Sequence, residues 1–130
     1  MQSRDGLRKR LTVAPNMTII MVTMPGRGPY HLVYAPSVRE HLRSIRRNFH
    51  PEIKAEIEAN LLFEPDVPTG NRKRLSPKVV LDVEWEFRCG PGNRFRVFYN
   101  VDDRRGQVEI LAIGVKRGSR LTIGREEVKL

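Results

Sequence analysis

Three runs between residues 83 and 116 alternate in a way that points to their secondary structure. Val83, Trp85, Phe87 and Cys89 interleave with Glu84, Glu86 and Arg88, the two-residue period of a strand with one apolar and one charged face. Gly90-Pro91-Gly92-Asn93 interrupts the run. Glycine reaches positive φ and proline withholds an amide, so a hairpin reversal is expected there. A second strand sets Phe95, Val97, Tyr99 and Val101 against Arg94, Arg96 and Phe98, and Asp102-Asp103-Arg104-Arg105-Gly106 supplies the next reversal. The third run, residues 108–115, is apolar at nearly every position, which predicts a strand covered on both faces in the middle of a sheet.

Upstream the period changes. Tyr30-His31-Leu32-Val33-Tyr34 reads as a short strand ended by Ala35-Pro36. Val38, Leu42, Ile45 and Phe49 then recur at helical steps, with Ser37 as candidate N-cap and Arg39, Arg43, Arg46 and Arg47 on the remaining surface. Ile53, Ile57 and Leu61 stripe a second helix that opens near Pro51, where a missing amide costs nothing, and stops before Pro65. The short loop between them predicts an antiparallel helix pair. Residues 64–82 form an irregular connection containing Pro65, Pro68, Pro77 and the basic cluster Arg72-Lys73-Arg74. Loops this long in small domains are often functional; a solvated loop anchored by Leu75 accounts for the same residues. Leu121 to Ile123 read as a short edge strand and residues 124–130 as a charged tail. Residues 1–28 stand apart from the domain at 29–130. They read either as a weakly ordered extension or as an added strand at residues 18–23, where β-branched side chains dominate, followed by a Pro25-Gly26-Arg27-Gly28-Pro29 loop.

Composition adds a partner class. Lys and Arg number 24 against 15 Asp and Glu, a net charge of +9 on 130 residues, and such a surplus favours a polyanion: nucleic acid, a ribosome or an acidic protein. Cys89 is the single cysteine, and His31, His41 and His50 share no spacing with it, so neither a disulfide, a zinc site nor a His-based triad can be built. The apolar run behind Arg8-Lys9-Arg10 is interrupted by Pro15 and Asn16 and is too short to span a bilayer. A cytoplasmic location is expected.

The order of strand, two helices and proline-containing loop, then a meander reading Trp85-Glu86-Phe87-Arg88, Asn93-Arg94-Phe95-Arg96-Val97-Phe98-Tyr99 and Ile110-Leu111-Ala112-Ile113-Gly114-Val115-Lys116, resembles the RelE/ParE family of toxins from prokaryotic type II toxin-antitoxin modules. The likeness covers about residues 30–120. It implies an α+β fold in which a mainly antiparallel, curved sheet carries two N-terminal helices packed on one face. It also implies a toxin neutralised by a cognate antitoxin protein. One branch of the family cleaves messenger RNA in the ribosome; the other inhibits DNA gyrase without nuclease activity. A noncatalytic, toxin-like binding domain is a third reading.

Metal-free RNA cleavage needs a base for the 2′-hydroxyl, cations to hold the phosphate as charge builds, and an acid for the departing oxygen. The resemblance assigns such catalytic roles to Arg96, Lys116 and Arg117, with no metal or other cofactor; the neighbouring Arg88 and Arg94, the basic cluster Arg72, Lys73 and Arg74, and Arg120 are candidate nucleic-acid contacts beside them. The chain departs from active relatives in carrying Glu84 and Glu86 near the positions of their lysines, and in lacking their C-terminal tyrosine. Arg96 therefore has two readings: a direct role, or a cross-strand pair with Glu84 or Glu86. Trp85 and Tyr99 alternate with apolar neighbours and read as core, and Cys89 reads as a structural thiol.

Overall fold

A computed structural model of the protein describes residues 9–13, 19–23, 29–75 and 82–129. Strands β1 (Lys9–Val13) and β2 (Ile19–Thr23) pair antiparallel as a sheet of their own, Leu11 opposite Met21. β2 falls inside the stretch read as an added strand; Thr18, residues 25–28 and Pro77 lie outside the described residues.

The main sheet has seven strands. β3 (His31–Tyr34) precedes helices α1 (Ser37–Arg43) and α2 (His50–Leu61). β4 (Arg72–Arg74), β5 (Trp85–Cys89), β6 (Phe95–Asp102), β7 (Gln107–Arg117), β8 (Arg120–Ile123) and β9 (Glu126–Val128) follow as antiparallel neighbours in chain order. β3 lies parallel to the first half of β7, and β8 takes the second half of the same edge. β7 is thus the central strand, as its unbroken apolar run requires.

The expected architecture, an α+β sheet bearing two N-terminal helices packed as a pair on one face, is overturned. Strands come first, the sheet is seven-stranded with a parallel pair, and among the described residues α2 is the one substantial helix. The stripe from Val38 to Phe49 does not form a single helix, because α1 ends at Arg43 after seven residues. There the Ser44 hydroxyl and amide both donate to the His41 carbonyl at 2.8 and 3.2 Å, and His50 Nε2 bridges the Leu42 and Ile45 carbonyls at 2.8 and 2.9 Å. Two carbonyls can be served by one nitrogen only if it donates to both, so His50 takes up acceptors that a continuing helix would have satisfied. Pro36 occupies the α1 cap position and no side chain caps the helix, which leaves Ser37 as its first residue. The basic cluster is likewise no loop: Arg72–Arg74 adds an edge strand to β5.

The core divides between two sheet faces. Trp85, Phe87, Cys89, Phe95, Val97, Tyr99, Val108, Ile110, Ile113 and Val115 face the helices, where Val38, Ile45, Ile53, Ile57 and Leu61 close over them. Val83, Phe98, Ala112, Leu121 and Ile123 form a second cluster on the outer face, joined by Leu75, Leu111 and Val128. The outer face is therefore partly filled by the chain itself. A bulge between Phe98 and Tyr99 sets Ala112 and Ile110 opposite these two and leaves Leu111 as the extra residue. Gly114 belongs to the same packing: a Cβ there would lie 3.0 Å from Ile123 Cγ1 and from Leu121 Cδ1, so the glycine of the Ile-Gly-Val-Lys run lets β8 close over β7.

Candidate functional site: a carboxylate-bridged basic sheet face

Strand register places Arg88 directly opposite Arg96, and two like charges face to face oppose pairing. Glu86 resolves the conflict. One carboxylate oxygen, Oε1, accepts from Arg88 Nε at 3.5 Å, and the other, Oε2, accepts from Arg96 Nη1 at 3.3 Å. The side chains of Glu86 and Arg96 are only 10% and 12% exposed, against 34% for Arg88, so the bridge is a largely desolvated ion triad in which Coulomb attraction is screened far less than at a surface. Arg96 Nε also donates to the Asn93 carbonyl at 3.1 Å, fixing the guanidinium against the hairpin. Of the two readings left open for Arg96, the cross-strand pair with Glu86 is realised.

Two lysines flank this triad. Lys73 on β4 stands opposite Glu86 and is exposed. Arg96 faces Gly114 across β6 and β7, so Lys116, two residues further along and on the same face, is its diagonal neighbour, roughly 7 Å away backbone to backbone. By strand alternation the outer face thus carries Lys73, Arg88, Arg96 and Lys116 around one carboxylate, beside the apolar patch of Phe98 and Leu121.

The remaining predicted contacts go elsewhere. Arg94 has αR backbone angles, which break the strand alternation. Its guanidinium lies 5.6 Å over the Phe49 ring on the helix side, and Phe49 in turn meets Phe95 edge to face at 5.3 Å. Arg117 and Arg120 are exposed and face each other across the β7–β8 turn. Arg74 lies 5.7 Å over the Trp85 ring. Arg72 is buried: its Nε donates to the Val67 carbonyl at 3.0 Å and its Nη1 to the Asn60 carbonyl, tying the connection to the end of α2. Arg72 is thereby committed to holding the fold.

Tyr99 is fully buried, stacks on Trp85 with centroids 6.1 Å apart, and donates its hydroxyl to the Pro65 carbonyl at 2.6 Å. Burial pushes its pKa well up, with Arg72 opposing. Burial, then Glu56 and Glu52, push the Cys89 thiol up to about 12, so it stays protonated at neutral pH and is a poor nucleophile.

Sequence reasoning gave His41 no role, and the structure gives it one. Its Nδ1 accepts the Ile113 amide at 3.3 Å. That amide sits on β7 between the stretches paired with β3 and with β8, where no strand is available to take it. Burial lowers the His41 pKa, with Glu40 opposing; the neutral ring is the form that can accept. No periodic signal marks a side chain that fills a gap between strands.

Among the described residues no His, Cys, Asp and Glu side chains group as they would to hold a metal, and no helix is long and apolar enough to cross a membrane. No protein-family model matches the chain, and no curated protein matches it.

Proposed function

We propose that the protein is the toxin of a type II toxin-antitoxin pair that acts in the cytoplasm on messenger RNA at the ribosome, holding the RNA backbone against the outer face of its sheet. The observation that carries this reading is the grouping of Lys73, Arg88, Arg96 and Lys116 on one face, together with the net charge of +9. Phosphate recognition needs fixed cations, and arginine offers a planar fork that keeps its charge. The exposed Lys73, with the partly exposed Lys116 and Arg88, makes the phosphate contacts. The nearly covered Arg96 holds Glu86 and supplies positive potential from beneath. Among the described residues Glu86 is the carboxylate bridged by these cations, and it is the group assigned to take a proton from a 2′-hydroxyl. An acidic antitoxin segment laid over the face would neutralise it.

Induced expression should halt translation and leave messages cut at ribosomes, and Lys116→Ala should lower cleavage about tenfold or more in a protein that still folds. Intact messages alongside DNA damage would transfer the case to gyrase. Harmless expression of folded protein would overturn the toxin reading and leave a binding domain without catalysis.

A further inference from the structure

A cavity of about 340 Å³ opens between α1 and the β8–β9 turn, lined by His41, Ile123, Gly124, Arg125, Glu126 and Val128. None of the outer-face cations lines it. Its chemistry is set from the backbone outward. Ile123 and Glu126 are register partners that close a two-residue turn over Gly124 and Arg125, with Gly124 at φ +65°, so Arg125 and Glu126 are presented side by side at the cavity. On the opposite wall the ring of His41 has a fixed tautomer. Its Nδ1 is occupied as acceptor of the Ile113 amide, which puts the ring proton of the neutral imidazole on Nε2. The Cδ2 corner next to that nitrogen lies 3.5 Å from where a Cβ on Gly124 would stand. His41 thus lines the cavity with its Cδ2 corner nearest the turn, and Nε2 is the ring atom next to that corner.

The lining thus combines a permanent cation, a neutral N–H donor, a carboxylate and two aliphatic side chains in a space at the small end of ligand pockets. A simple anion would meet Glu126, and a simple cation would meet Arg125. We propose that this cavity binds a free α-amino acid with an aliphatic side chain, its carboxylate on Arg125 and His41 Nε2, its ammonium on Glu126 and its side chain against Ile123 and Val128. The site is independent of the RNA reading, since either can fail while the other stands.

L-leucine titrated into the full chain and followed by amide NMR should give saturable shifts at Ile123, Gly124, Glu126 and the His41 ring. Arg125→Ala should weaken binding about tenfold, the loss of one charge-assisted contact, with Arg125→Lys recovering most of it. 4-Methylpentanoate, which lacks the ammonium, should bind more weakly than leucine to the native protein but equally well to Glu126→Gln. Both substituted side chains are exposed, so amide spectra unchanged elsewhere will show that the fold is kept. No saturable shift at about 10 mM leucine, a range where even weak sites fill, would overturn the proposal. So would equal affinity of leucine for native and Arg125→Ala protein.

Discussion

Replacing Glu86 with alanine is expected to cost about 3 kcal/mol of stability, although the residue lies on a sheet face that the sequence paints as charged and solvated. The reason is what remains after the carboxylate is gone. Arg88 and Arg96 are direct cross-strand partners, and the bridge between them is largely desolvated. Removing one member of a buried ion group leaves the others uncompensated, which costs more than the group contributes when intact. The cost is held to about 3 kcal/mol because Arg88 is a third exposed and keeps part of its hydration. Thermal unfolding should show the midpoint falling by roughly 10 °C in a chain of this size. Substituting Glu86 and Arg96 together with methionine should recover much of the loss, since the apolar pair strands fewer charges. A Glu86→Ala protein as stable as the native one would mean that the bridge contributes nothing.

The second large effect concerns Tyr99, whose alternation with Phe95 and Val97 reads as core and which is fully buried. Tyr99→Ala should destabilise by about 4 kcal/mol, the usual cost of deleting a buried aromatic side chain. That is a large part of the stability of an ordinary domain. It removes the stack on Trp85 and the bond to Pro65 in one step. Tyr99→Phe keeps the ring and strands only the Pro65 carbonyl, so it should cost about 1–2 kcal/mol. Chemical denaturation of both variants measures the difference. Because the hydroxyl is wholly enclosed, Tyr99→Phe should keep whatever activity the folded protein has. Loss of activity in a stable Tyr99→Phe protein would contradict the reading of Tyr99 as core.

Strand pairing was legible in the sequence because it is written in strict alternation. Trp85, Phe87 and Cys89 against Glu86 and Arg88, and the glycine-rich hairpin after them, appear where the pattern placed them, with φ +82° at Gly90 and +61° at Gly92. The buried stripe Ile53, Ile57 and Leu61 was equally plain. What failed was continuity. The apolar steps from Val38 to Phe49 fit a helix, but the pattern cannot report that His50 folds back onto the Leu42 and Ile45 carbonyls. Arg72–Arg74 is too short a strand to show a period, and a parallel β3–β7 pair joins residues 76 positions apart, as with His31 and Gln107. The site was half legible for the same reason: alternation put Arg88, Arg96 and Glu86 on one face, whereas the αR turn that swings Arg94 onto Phe49 leaves no such mark.

The most direct test of the central claim is the salt dependence of single-stranded RNA binding by the purified protein. A face that meets phosphates through Lys73 and Lys116 should lose about 0.7 from the slope of log K against log salt for each lysine removed, so Lys73→Ala with Lys116→Ala should flatten it by about 1.4. Arg104→Ala with Arg105→Ala, exposed in the β6–β7 reversal, should leave the slope unchanged. A slope insensitive to the two lysines, or reduced equally by the two loop arginines, would contradict the assignment of this sheet face to RNA.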